Sequence, residues 1–99
     1  MVVRVVLPSH LRLLARVDGE LELEVVPPAT LGSLMDALEA RYPVLAGTIR
    51  EHSSGRRRPL VRFFACRLDI TQDGWAVELP CSVQDGSEPL LVVGAIAGG

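Results

Sequence analysis

The residues with the clearest chemical potential stand at the end of the sequence, Gly94-Ala95-Ile96-Ala97-Gly98-Gly99. Gly98 and Gly99 carry no Cβ, so a carboxylate on Gly99 is unhindered, and the backbone behind it can thread a narrow channel and approach another active site closely. Ala and Gly bury little surface, and glycine loses more backbone freedom on ordering than any other residue. The expectation is a domain over residues 1–93 and a flexible tail over 94–99. Gly99 is then the reactive group, and Gly98, Ala97, Ile96, Ala95 and Gly94 are the segment that enters a partner's active site.

Other residues that could do chemistry form no constellation. Glu20, Glu22 and Glu24 alternate with Leu21, Leu23 and Val25, which reads as the wet face of a strand rather than a carboxylate pair. His10 and His52 stand alone and read as surface residues. Cys66 and Cys81 form no CxxC or Cys/His cluster, so no zinc site is expected and both thiols are expected free in a reducing cytoplasm. Arg56-Arg57-Arg58 lies in a polar, glycine-containing loop, either a solvated segment or a docking patch for an acidic partner or phosphate. No Ser/His/Asp set is present, so the chain alone is expected to catalyse nothing.

Composition narrows the field further. Ninety-nine residues suit one domain with a core that needs neither disulfide nor metal. Hydrophobic residues make up 48% and aromatic ones only 4%, so that core is aliphatic. A net charge of -2 argues against a nucleic-acid binder driven by bulk charge. No apolar run approaches membrane-spanning length, and Met1 to Leu7 is too short for a signal peptide, so a cytoplasmic protein is expected. All 10 basic residues are arginine. A chain whose own C-terminus becomes an activated acyl group then has no internal lysine to acylate.

The elements that must position the tail can be read in order. Val2 to Leu7 is nearly all apolar and predicts a central strand covered on both faces. Leu11 to Ala15 is either a short helical turn or irregular chain. After the turn at Asp18-Gly19, Glu20 to Val25 predicts a half-buried strand, stopped by Pro27-Pro28. Thr30 reads as a helix N-cap, and Leu31, Leu34, Met35 and Leu38 recur at helical spacing until Pro43 ends the helix near Tyr42. Val44, Leu45 and Ile49 suggest a short turn beneath it. Leu60 to Cys66 predicts another strand, Asp73-Gly74 a tight turn, Trp75 to Leu79 a short strand, and Val83 a residue just before the turn 84–88. Leu90 to Val93 is the last strand. Two apolar strands at the two ends of the chain suit neighbouring central positions. The fold class is α+β, a mixed sheet of four to five strands with one main helix packed across it.

Taken together, these elements resemble the β-grasp, ubiquitin-like sulfur carriers of the MoaD/ThiS family. The stretch TLGSLMDALEARYPVLAGTI is similar to that family's helix, VQDGSE to the turn before its last strand, and GAIAGG to its Gly-Gly terminus. LVRFFACRLDI stands where the family has a strand ending in a Val-Asn-Gly-like turn. The longer Ser/Gly/Arg loop before Pro59-Leu60-Val61-Arg62-Phe63 resembles the CysO-like, cysteine-biosynthesis type. The chain departs from the family in lacking proline near residues 94–95. The resemblance implies that an adenylating enzyme of the MoeB/ThiF type uses ATP to convert the Gly99 carboxylate to an acyl-adenylate. Sulfur then displaces AMP, and the thiocarboxylate serves a sulfur-accepting synthase in molybdopterin, cysteine, thiazole or similar biosynthesis. No cofactor would be bound by the carrier itself. Partner docking is expected on an apolar sheet face near the tail root, with Leu7, Phe64 and Val93 as candidates. The alternatives are a ubiquitin-like modifier conjugated through Gly99 and a non-catalytic β-grasp interaction domain.

Overall fold

The computed structural model describes residues 1–94. Strand β1 (Val2–Val6) leads through Pro8 into helix α1 (Ser9–Ala15) and strand β2 (Leu21–Glu24). Helix α2 (Leu31–Arg41) follows, then strands β3 (Val61–Ala65) and β4 (Leu68–Asp69), helix α3 (Cys81–Gln84) and strand β5 (Leu90–Gly94). The sheet has the order β2-β1-β5-β3-β4. β1 and β5 run parallel at its centre, and every other pairing is antiparallel. The chain's first and last strands therefore do lie side by side, as two apolar strands in need of cover should.

Helix α2 starts where its cap demands. The Thr30 hydroxyl accepts from the Ser33 N–H at 3.0 Å, and the Ser33 hydroxyl accepts from the Thr30 N–H at 2.9 Å. The first helical N–H groups, which have no partner inside the helix, find carbonyls in the segment before α3: Leu31 donates to Val77 at 3.0 Å and Gly32 to Trp75 at 2.8 Å. Glycine at 32 is what lets that segment come so close, because a Cβ there would stand 3.0 Å from the Trp75 carbonyl oxygen. Leu31, Leu34, Met35 and Leu38 all face the sheet and are buried. They meet Val3, Val5, Leu21, Leu23, Phe63 and Val92 in one core cluster.

The structure corrects several local expectations. β1 is covered on one face only: Val3 and Val5 are buried, whereas Val2 is exposed. Leu11 to Ala15 is helical, ended by Arg16 in a left-handed conformation. Residues 75–79 do not form a strand; a single bridge joins Glu78 to Thr30, and the backbone there serves the start of α2 instead. Thr71–Asp73 is a turn of 3-10 helix leading to Gly74 at φ 86°. Val83 lies inside α3 rather than in a loop. The link from β3 to β4 places Cys66 and Arg67 at φ 51° and 68°. Two consecutive left-handed residues are the signature of a tight hairpin turn normally built from Asn-Gly.

Candidate functional site: the tail root and the outer sheet face

The tail begins from the middle of the sheet. β5 is paired along its length with β3, Leu90 opposite Ala65 and Gly94 opposite Val61, and its first residues also pair with β1. Leu90 and Leu91 are thus held on both sides, and Val92, Val93 and Gly94 by β3 alone. Gly94, read from the sequence as the first tail residue, is instead the last residue of β5. Ala95, Ile96, Ala97, Gly98 and Gly99 lie outside the described residues.

Alternation along β5 decides which side chains surround that root. Leu90 and Val92 point into the core, while Leu91 and Val93 are 38% and 46% exposed. Register brings Phe64 opposite Leu91 and Arg62 opposite Val93 from β3, and Val6 beside Leu91 from β1. Phe64, Leu91, Val93 and Val6 thus form an apolar patch on the outer face, away from α2, with Arg62 at its rim. Arg62 is held by Asp69 at 3.3 Å. The Asp69 carboxyl lies below its usual range because the Thr71 hydroxyl, the Thr71 N–H and then Arg62 favour its charged form.

Phe64 and Val93 therefore share one face, and Leu7 does not. Leu7 follows β1, turns into the core and is 1% exposed, so it cannot offer contact to a partner. Leu91 and Val6 are members of the patch that the sequence reading missed. Leu90-Leu91-Val92-Val93 is apolar at every position, so period-2 alternation is present in space and invisible in hydropathy.

On the other side of the root a cleft of about 430 Å³ opens beside Gly94, between Pro8, His10 and Leu11 on one wall and Arg58, Pro59 and Leu60 on the other. His10 is consequently half-buried rather than a free surface residue, its Cε1 only 3.7 Å from where a Cβ on Gly94 would sit. His52 is exposed, with its ring lying over Gly47. Cys66 and Cys81 are both free thiols, and the Cys66 sulfur lies 2.9 Å from the Ser82 hydroxyl. Among the described residues no group of His, Cys, Asp and Glu could hold a metal ion.

The arginine loop is mostly committed to its own architecture. Arg57 donates to the carbonyls of Val61 at 2.8 Å and of Arg58 and Pro59 at 3.2 Å. Arg58 donates to the Gly47 carbonyl at 2.9 Å and pairs with Glu51 at 3.7 Å. Arg56 is exposed. Nearby, Arg50 reaches Asp36 and Glu39 on α2 and lies over the Trp75 ring at 5.7 Å, while the Trp75 indole donates to the Gly55 carbonyl at 3.0 Å. Hydrogen bonding to Glu39 raises the Arg50 pKa further above its ordinary value, against desolvation. This cluster pins the loop across the helix.

No protein-family model matches this sequence, and no curated protein does. Solved structures do match. SAMP1 from Haloferax volcanii superposes with a TM-score of 0.77 at 17% identity, each chain covered over 100% of its length. CysO of Mycobacterium tuberculosis, an antigen, gives 0.70 at 21% identity over 94% of this chain and 98% of that one. The fold is a β-grasp. A third β-grasp neighbour comes from the BexX/CysO complex of Amycolatopsis orientalis, at 0.72 and 18% identity over 97% of this chain and 98% of that one. No described helix is long and apolar enough to cross a membrane.

Proposed function

We propose that this β-grasp protein is a sulfur carrier of the MoaD/ThiS type, with the Gly99 carboxylate as its working group. One observation carries the reading: β5, fixed between β1 and β3, runs out of the core beside an exposed apolar patch and continues directly into a sequence ending Gly98-Gly99. The likeness to two CysO proteins and SAMP1 supports it at the level of fold.

A carboxylate is a poor electrophile and must be activated. An adenylating enzyme of the MoeB/ThiF type would bind the patch of Phe64, Leu91, Val93 and Val6 and take residues 95–99 into its channel. A Gly99 carboxylate oxygen then attacks the α-phosphorus of ATP and pyrophosphate leaves. Hydrosulfide attacks the acyl carbon, its proton passes to solvent, AMP leaves with the electron pair of the broken C–O bond, and the thiocarboxylate remains with its sulfur at the sulfide oxidation level. Thiolate-type sulfur is far more nucleophilic than a carboxylate oxygen. The carrier then presents it to a sulfur-accepting synthase in the cytoplasm, while the domain supplies the recognition surface. ATP belongs to the partner, and the carrier catalyses nothing alone.

The test is intact-mass analysis of the protein purified from its native cell, followed by incubation with a cognate adenylating enzyme, ATP and a sulfur donor. The expected product has one oxygen of Gly99 exchanged for sulfur. Isopeptide adducts from Gly99 to target lysines would assign it as a modifier instead, and a terminus that stays unmodified in both settings would leave a plain interaction domain.

A further inference from the structure

β2 forms one edge of the sheet, and nothing among the described elements pairs with its far side. The hydrogen-bond parity of the β1–β2 ladder shows which groups face outward. Val25 donates to the Met1 carbonyl at 2.9 Å and Met1 donates back to Val25 at 3.1 Å, so this is a mutually bonded pair. Alternation makes Leu23 with Val3 and Leu21 with Val5 the next bonded pairs. Glu22 and Glu24, opposite Arg4 and Val2, are the non-bonded positions, and their N–H and C=O groups point away from the sheet. Both residues are exposed. Beside this edge a groove of about 450 Å³ runs between β2 and α2, floored on the helix side by Ala37 and Ala40, whose small side chains leave room for another backbone, with Arg41 at the helix end.

An open edge with outward backbone groups is a template for one more strand. The side chains select what that strand can be. On the outer face it would lie beside Glu22 and Glu24. Arg4 on β1 directs its guanidinium to Glu20 at 3.2 Å, and Glu22 has no ion pair among the described side chains. Glu24 is 80% exposed and faces only the Met1 ammonium at 3.5 Å. A second copy of this chain, edge to edge, would set glutamates against glutamates, which is destabilising. A strand with Lys or Arg on that face is favoured by the same geometry. On the inner face its alternate side chains would meet Ala37 and Ala40, which calls for apolar residues of moderate size.

We propose that the β2 edge docks an extended partner segment in which basic and apolar residues alternate, added as a sixth strand. The probe is a synthetic peptide of alternating arginine and valine, about eight residues long to match a typical strand. Its control has the same composition with the arginines and valines in two blocks. Binding to the full chain is read by amide NMR, without ATP or any adenylating enzyme, so the outcome is separate from the Gly99 chemistry. The expected result is saturable binding of the alternating peptide, with new hydrogen-exchange protection at the Glu22 and Glu24 amides. Glu22→Lys with Glu24→Lys should weaken it at least about tenfold and permit binding of an alternating glutamate and valine peptide. Ala40→Arg, on an exposed helix position, should weaken it by filling the groove if the charge reversal does not fold. Unperturbed Glu22 and Glu24 amides at saturating peptide, equal binding of the block peptide, or a β2-to-β2 dimer of the chain in sedimentation would each overturn the proposal.

Discussion

Phe63 and Phe64 are adjacent in β3, identical in chemistry and opposite in role. Phe63 is fully buried beneath α2 and meets the Trp75 ring edge-on, with centroids 5.6 Å apart. Phe64 stands on the outer patch across from Leu91 and is half-buried. Phe63→Ala removes the whole buried ring and leaves a cavity walled by α2 and the sheet, at a cost of about 3–5 kcal/mol. A domain of this size is stable by about 5–15 kcal/mol, so about a fifth or more of that is lost. With a urea slope near 1–1.5 kcal/mol per molar, the midpoint should fall by roughly 3 M. Phe64→Ala exposes about half as much new apolar surface on a face already wet, and should cost about 1 kcal/mol. Under the proposed carrier function, the same substitution should weaken capture by an adenylating enzyme, seen as a raised KM for this protein with little change in Tm. Urea unfolding of both variants by circular dichroism decides the matter. If Phe64→Ala were the more destabilising of the two, β3 would be displaced by one residue, and every face assignment around the tail root would invert with it.

Thr30→Ala should destabilise the protein by about 1 kcal/mol through loss of the α2 cap, while Thr30→Ser should restore most of it, as read by thermal unfolding. Arg50→Met should cost about 1–2 kcal/mol because the half-buried Glu39 loses its charged partner, and Arg50→Lys should recover only part, since a lysine lacks the planar fork with which Arg50 grips Glu39 through two nitrogens while reaching Asp36; the loss should shrink at high salt. Asp69 and Asp85 both have folded pKa values lowered from the ordinary carboxylate value, Asp69 chiefly through the Thr71 hydroxyl and Asp85 chiefly through the Ser87 hydroxyl. The stability they contribute is present above the unfolded carboxylate pKa and is lost as pH falls through the folded one. Asp69→Asn with Asp85→Asn should therefore lower Tm at pH 7 and flatten the acid limb of a Tm-against-pH profile, the variant and the parent converging as pH falls below the unfolded carboxylate pKa of about 3.9.

Strictly local signals made most of the architecture legible. The alternation of Glu20 to Val25, the Thr30 cap and the helical spacing of Leu31, Leu34, Met35 and Leu38 each bind one stretch to one conformation, and the structure keeps all of them. The terminal strands announced their central place by being nearly all apolar. That same property hid the facing of the last strand: Leu90 to Val93 offers no polar residue to mark the wet side, and Val2 to Leu7 offers only Arg4. Only the pairing of β5 with β1 and β3 turned Leu91 and Val93 outward and Leu7 inward. The segment 75–79 looked like a strand because it alternates, yet its backbone is drawn to the open N–H groups of α2, a demand that exists only once the helix is in place. The arginines were ambiguous for the same reason. Charge in a loop shows that a residue can be solvated, but only the fold supplied the carbonyls of Gly47 and Val61 and the carboxylates of Asp36 and Glu39 that take Arg58, Arg57 and Arg50 out of service as a free patch.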